Sequence, residues 1–246
     1  QVGGQPVGLT GIESRPVKRF GDIPNDGPDS WTGGTLYPKS SKKVSRALNA
    51  FSNQMPVVVL ANLSGFDGSP ESLRKLQLEY GAEIGRSVVN FKGPIIFVVV
   101  ARYHGGAYVV FSKTLNPNMK IVALKNTFAS VIGGAPAAAV VFPRQVLKNT
   151  FSDPQIVTAQ ERLRTGQLEK SEYDDLFQRV HLEHQAKLAQ KFEKIHSVER
   201  ALKVGSVDDI IDATTLRPVS YTHLRAHETS LHLVCRLLLE KKRAHT

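Results

Sequence analysis

Two glycine turns carry the residue types best suited to chemistry in this chain. Val98, Val99, Val100 and Ala101 close an apolar, β-branched run that begins at Pro94, and the chain then passes through Arg102, Tyr103 and His104 into Gly105-Gly106-Ala107. Glycines at such a junction remove side-chain bulk, so a ligand oxygen can approach the backbone closely. If Ala107 opens a helix, the N–H groups of its first turn have no partner within the helix and face a developing oxyanion with a favourable field. An ordinary strand-to-helix turn carries the same pattern. The second turn, Gly65-Phe66-Asp67-Gly68, follows the apolar run over 56–61 and precedes a helical pattern in the same way. In a parallel sheet the two turns share one edge, where ligands bind.

Other candidates are weaker. Asp67 has the chemistry of a general base, yet an aspartate in a turn is also a common capping residue. Arg102 has the charge to hold an anion. His104 is the only histidine beside the glycine turn and titrates in a useful range, but no carboxylate stands at a fixed spacing from it. His181 and His184 fall at i, i+3 on a helical pattern, and no third metal ligand follows them. The chain has neither a Walker-type phosphate loop nor a GxSxG elbow, which disfavours kinases, NTPases and serine hydrolases.

The elements that position these turns are legible from periodicity. Residues 8–14 read as a strand and residues 19–38 as a loop rich in Gly, Pro, Asp and Asn. Residues 40–51 read as a helix with Val44, Ala47, Leu48 and Phe51 on one face. After the strand over 56–61, Ser69 caps a helix with Pro70 in its first turn, and Leu73, Leu76, Tyr80 and Ile84 are expected to line its core face. Gly93-Pro94 ends that helix and the strand to Arg102 follows. Residues 121–124 are strand-like, Gly133-Gly134-Ala135-Pro136 forms a further glycine turn, and residues 137–142 read as strand or helix. From Ile156 to about Val204 the chain is rich in Gln, Glu, Lys, Arg, Leu and Ala, which favours helices, broken near Gly166. Strands this continuously apolar have no wet face and indicate a covered, largely parallel sheet. The expectation is an α/β body to about residue 150 with a helical end over 151–217.

The chain has 246 residues, a formal charge of +10 and a pI near 9.7. Its cations are spread along the sequence without interleaved aromatics, which argues against nucleic acid as a partner. No stretch is long and apolar enough for a membrane span, and the N-terminal residues form no signal core. The tail over 218–246 looks like a translated sequencing adapter, with one block running from Pro218 to Thr229 and another from Leu233 to Lys242. Those residues hold five Lys/Arg against two Asp/Glu, so without them the charge falls to about +7. They also contain Cys235, the single cysteine, and four of the eight histidines, so no metal or thiol chemistry is built on them. Disulfides and thiol catalysis are then disfavoured, which suits an intracellular protein.

Several ordered blocks together resemble the C-terminal half of the biotin-dependent carboxyltransferase domain of acetyl-CoA and other acyl-CoA carboxylases. Gly3-Gly4-Gln5-Pro6-Val7-Gly8 with Gly11-Ile12-Glu13-Ser14-Arg15 resembles the family's entry strand. Ala61-Asn62-Leu63-Ser64-Gly65-Phe66-Asp67-Gly68 is similar to its ANWRGFSGG block. The stretch from Arg102 to Val110, then Thr114-Leu115-Asn116-Pro117, resembles RGGSWVV and TINP, and Val204-Gly205-Ser206-Val207-Asp208-Asp209-Ile210-Ile211-Asp212 resembles the C-terminal GxVDDIID segment.

The resemblance implies a crotonase-like (ClpP/crotonase) α/β spiral of ββα units with a helical C-terminal end. It implies that the N–H groups of Gly106 and Ala107 form an oxyanion hole for the biotin ureido oxygen. Gly65, Phe66, Gly68, Arg102, Gly105, Tyr108, Val109, Gly133 and Gly134 would line the biotin and substrate site, with Val109 near the acyl pocket. The implied cofactor is biotin, carboxylated on a separate carrier domain, with no metal in this segment. The implied partners are an acyl-CoA, the biotinyl carrier and biotin carboxylase domains, and further copies of the chain in at least a dimer, with no nucleic acid or membrane. The implied location is the cytoplasm, or a plastid. Leu63-Ser64 stands where acetyl-CoA carboxylases have Trp-Arg, and residues 130–136 depart from the family pattern, so the acyl chain length stays open. The family's N-terminal half, with most of its CoA site, has no counterpart here, and the chain alone is expected to be inactive. A biotin-dependent decarboxylase, a carboxylase of propionyl-CoA or longer acyl-CoAs, and a non-catalytic oligomerising scaffold are the alternatives.

Overall fold

Apolar β-branched runs build a parallel sheet in the computed structural model, which describes residues 1–224. The chain forms two units, one of Gln1–Val131 with the residues from Val198 on, the other of Ile132–Ser197. The first unit contains β1 (Gly8–Gly11), β2 (Val17–Lys18), β3 (Ser30–Trp31), β4 (Thr35–Leu36), β5 (Val57–Leu63), β6 (Gly65–Phe66), β7 (Ile95–His104), β8 (Met119–Leu124), β9 (Phe128–Ser130) and β10 (Asp209–Ile211). The main sheet runs β1-β5-β7-β8-β10, and every ladder in it is parallel; β9 joins it by pairing with the end of β7. Two short ladders lie apart, antiparallel β2–β3 and parallel β4–β6; β2, β3 and β4 fall within or border the stretch expected to be loop, and β6 falls in the expected glycine turn.

Alternation along the central strands sends successive side chains to opposite faces, and both faces are buried. Val57, Val59, Ala61, Ile95, Phe97 and Val99 enter one core with residues of α1 (Pro38–Phe51) and of a later helix over 77–90. Val58, Ile96, Val98, Val122 and Ile211 enter a second core, which Leu224 completes from a helical stretch over 216–224. Each such side chain contributes about 1.5–3 kcal/mol on burial. Residues 218–224 of the stretch read as an adapter lie in that helix; the remainder, including Cys235, His227 and His232, lies outside the described residues.

The helix expected from Ser69 to the glycine break is two helices. Ser69 Oγ accepts the Ser72 N–H at 3.3 Å and Pro70 opens α2 (Pro70–Arg74), as its sequence predicts. Leu76 then adopts φ +65°, a left-handed turn that rotates the register, and α3 (Gln77–Asn90) begins afresh. Leu73 and Leu76 are in consequence exposed, and of the four expected core residues only Ile84 is fully buried. Next come α4 (Gly106–Val110) and a 3-10 turn over Lys113–Leu115.

In the second unit, a helical turn at Gly134–Pro136 runs into a wide π turn over Ala137–Val141, followed by α5 (Pro143–Phe151), α6 (Pro154–Arg164) and α7 (Lys170–Ile195). Asp153 caps α6 by accepting the Gln155 N–H at 3.0 Å, and Gly166, at φ +72°, follows its end. The helical unit therefore begins at residue 132, earlier than composition suggests, and ends at 197. From α8 (Val198–Lys203) onward the chain rejoins the first unit. Asp208 fixes that return: its Oδ2 accepts the Ile121 N–H and its Oδ1 the Lys113 ammonium, each at 2.8 Å, which sets β10 beside β8.

Candidate active site

The two glycine turns meet. Thr35 and Leu36 of β4 pair in register with Gly65 and Phe66 of β6, and β6 in turn lies against Gly105 and Gly106, just past the end of β7. A Cβ placed on Gly105 would come within 3.2 Å of Gly65 Cα, tighter than most side-chain contacts, so the two backbones touch. Gly105 has φ +65° and ψ −144°, a conformation open in practice only to glycine. Its N–H donates to Val131 O at 3.0 Å, and its carbonyl accepts from Tyr108 N–H at 3.0 Å, closing the first turn of α4. The N–H groups of Gly106 and Ala107 fall between these bonds and, among the described residues, donate to no protein acceptor. Phe66 wedges between α3 and α4: a Cβ on Gly106 would strike its ring at 2.4 Å and one on Gly81 at 2.9 Å.

Tyr103, which the sequence did not single out, holds this turn in place. Its buried hydroxyl donates to Phe111 O at 3.0 Å and Tyr108 O at 3.2 Å, so the last residue but one of β7 grips the C-terminal end of α4. Burial, with a smaller effect from the Tyr108 phenol, pushes the Tyr103 hydroxyl pKa well above the ordinary phenol value, and the group remains a proton donor. The ring packs 4.8 Å from Phe97 and 4.8 Å from Tyr108. The Tyr108 hydroxyl reaches Ser206 Oγ at 2.5 Å and ties the helix to the chain's return. A hydroxyl two positions before GGA is the signal that could have found Tyr103.

The other expected residues divide. Val109 is exposed on α4. Gly68 is exposed in the turn before α2, with open space around it. Arg102 is exposed, and alternation along β7 puts it on the second face, where it lines a separate 510 Å³ cleft with Asn62, Lys125, Thr127 and Asp212. It is not brought to the glycine turn. Gly133 and Gly134 open the second unit, where Gly134 is buried and a Cβ on it would meet the Ala189 carbonyl of α7 at 2.4 Å. That glycine serves close packing.

Asp67 accepts from both Ser69 Oγ and, at 3.4 Å, Ser69 N–H, so it supports the α2 cap and is spent on turn chemistry. Buried His104 sets Nδ1 3.0 Å from Ser130 Oγ and links β7 to β9. His184 Nε2 lies 2.9 Å from Asp153 Oδ2, while His181 Nδ1 lies 3.4 Å from Thr150 Oγ1, so the two histidines have separate partners.

A groove of 880 Å³ is lined by Leu9, Val17, Phe20, Thr35, Leu36 and Phe51 and by charged residues that include Lys39 and Lys43 of α1. At one wall Arg19 makes a bidentate pair with Glu71, at 2.8 and 2.9 Å, beneath the Trp31 ring 4.3 Å away. Hydrogen bonding from Arg19, then from Lys75, pulls the Glu71 carboxyl down to about 2.

A family model described as the carboxyl transferase domain matches residues 1–237. Acetyl-CoA carboxylase of Saccharomyces cerevisiae is 32% identical over 165 residues, 62% of this chain and 7% of that protein. Acetyl-CoA carboxylase of Dictyostelium discoideum is 29% identical over 175 residues, 66% of this chain and 7% of that protein. Among solved structures, the β subunit of P. aeruginosa geranyl-CoA carboxylase superposes with a TM-score of 0.64 at 18% identity, covering 93% of this chain and 35% of that subunit. The transcarboxylase 12S hexamer, solved with methylmalonyl-coenzyme A, gives 0.59 at 19% identity over 79% of this chain and 32% of that one. At such identities the two structures speak to fold alone. The chain spans 7% of the carboxylase sequences and about a third of the structures it matches.

Proposed function

This chain belongs to the carboxyl transferase domain family, and we propose that it supplies the biotin side of carboxyl transfer from carboxybiotin to an acyl-CoA, with acetyl-CoA as acceptor and malonyl-CoA as product. Its fold is the crotonase-like α/β fold of carboxyltransferase β subunits. The observation that carries the proposal is the pair of N–H groups on Gly106 and Ala107, without a protein acceptor among the described residues and held at a junction where two glycine backbones touch.

The fit to biotin rests on these donors, which the close packing of Gly105 on Gly65 and of Gly106 on the Phe66 ring holds in place. Biotin would supply a carboxylated ureido group, and the Gly106 and Ala107 N–H groups would hold its oxygen. Donors fixed there would favour a state in which that oxygen is more negative, the transition state over the ground state. Tyr103 keeps the donors in place from beneath α4 without touching the ligand, and Phe66 screens one side of the turn from water. Acetyl-CoA is favoured as acceptor because the relatives above carry that activity in their names. The carrier, the biotin carboxylase and the CoA-binding half are proposed to lie elsewhere in a longer cytoplasmic polypeptide that acts as at least a dimer.

The test is biotin-dependent decarboxylation of malonyl-CoA by the full-length polypeptide, wild type against Ala107→Pro. Proline deletes one donor yet is tolerated in a helix's first turn. Loss of one such donor costs about 3 kcal/mol of barrier, so turnover is expected to fall about a hundredfold. Ala107→Ser, which keeps the N–H, is expected to retain activity. Near-normal turnover by a folded Ala107→Pro protein overturns the assignment.

A further inference from the structure

The outer face of α1 is a row of cations that the proposed reaction leaves unused. Lys39, Lys42, Lys43 and Arg46 stand at i, i+3, i+4 and i+7 on one helical stripe, all exposed, with Ala47, Asn49 and Ala50 beside them. The inner stripe, Ser41, Val44, Ser45 and Leu48, is buried against the core and α3. No acidic residue occurs in α1, and among the described residues none of the four cations is in an ion pair; Lys42 lies over the Tyr80 ring at 5.0 Å. Like charges so spaced repel along a helix and are unfavourable unless something negative meets them.

Three features choose the partner. The stripe extends for about 10 Å along the helix axis. Lys42 and Arg46 stand on a surface made by α1 alone, so no second element walls in a small anion beside them, while Lys39 and Lys43 also border the groove described above. The apolar members on α1 itself are alanines, which provide no large side chain to insert into a lipid surface. A row of carboxylates on a protein surface matches it in length and sign. Its location adds the rest: Lys39 follows β4 by three residues, and β4 pairs with Gly65–Phe66 at the glycine junction. A domain seated on the first turns of α1 is thus close to the glycine junction.

We propose that the basic stripe of α1 is the docking surface for an acidic face of the domain that presents the biotinyl group. This rests on the functional reading above. The charges steer and orient that domain, and they take no part in the transfer itself.

The experiment compares two acceptors in malonyl-CoA decarboxylation by the full-length polypeptide: free biotin, and a separately purified biotinylated carrier domain of the same protein added in trans. The variants are Lys42→Glu and Arg46→Glu, singly and combined, with Lys42→Gln and Arg46→Gln as neutral controls. For the double charge reversal, the KM for the carrier is expected to rise about tenfold, with its salt dependence abolished, while kinetics with free biotin stay unchanged. The neutral pair is expected to give an intermediate shift. Unchanged carrier kinetics in the reversed protein overturn the docking surface and leave the functional reading standing. A wild type that turns over neither acceptor overturns both. Loss of binding to anionic vesicles or to DNA with carrier kinetics intact would assign the stripe to another partner and likewise overturn the proposal.

Discussion

Gly105 and Tyr103 illustrate how single residues divide the labour at the site. Gly105 supplies a backbone conformation and a close approach, at φ +65° beside Gly65, that no side chain tolerates. Tyr103 supplies a buried donor that fastens α4 from below, at 3.0 Å to Phe111 O and 3.2 Å to Tyr108 O. Tyr103→Phe keeps the ring and leaves those carbonyls without the hydroxyl, so it is expected to cost about 1–3 kcal/mol of stability, read by denaturant unfolding. Turnover in the Phe variant is expected to fall by less than in Ala107→Pro, because the donors are loosened and not deleted. Gly105-Gly106-Ala107 was legible as a donor turn because glycine and strand endings leave a mark in sequence. Tyr103 was passed over, because its place two positions before GGA hints at a hydroxyl near the turn but does not say that it folds back onto carbonyls five and eight residues on.

At the scale of elements, charge pairs settle what periodicity leaves open. Arg19 lies in a stretch that reads as loop, and Glu71 lies in α2; they join as a buried bidentate pair supported by Lys75. The folded Glu71 carboxyl sits at about 2 against an ordinary 4.5. A depressed carboxylate pKa stabilises the fold above the unfolded value, and that contribution fades as pH falls from about 4.5 towards 2. Glu71→Gln is expected to be less stable than wild type at neutral pH, with the gap in melting temperature closing on acidification over that range. A gap that stays constant with pH would refute the pair's role. Asp208 does similar work at the chain's return. Burial alone would raise its carboxyl, and the Lys113 ammonium, the Ile121 N–H and Lys120 outweigh that and lower it. The expected long helix failed at Leu76 for a related reason, since a left-handed residue within an amphipathic pattern is invisible to a count of apolar spacings.

At the scale of the whole molecule, the first unit depends on a sheet covered on both faces. Leu224 is 1% exposed among Val58, Ile96, Val98, Val122 and Ile211, although it lies in the stretch that reads as adapter. Leu224→Ala is expected to cost roughly 3 kcal/mol through the cavity it leaves. For a chain of this size that is a drop of about 6–12 °C in melting temperature, read by calorimetry. An unchanged melting point would show that the second face holds without that helix.

The sequence by itself determined the long central strands, the covered parallel sheet and the two glycine turns at one edge, because apolar continuity, turn chemistry and missing Cβ atoms are local properties. It also carried the blocks by which the family is recognised. Tertiary structure alone decided that Gly65 touches Gly105, that Arg102 faces away from the site, and that Gly134 packs against Ala189. It alone brought residues from 198 onward back to β8, through Asp208. Those outcomes depend on which faces meet across long separations in the chain, and burial and hydrogen-bond geometry choose among faces that local spacing leaves equivalent.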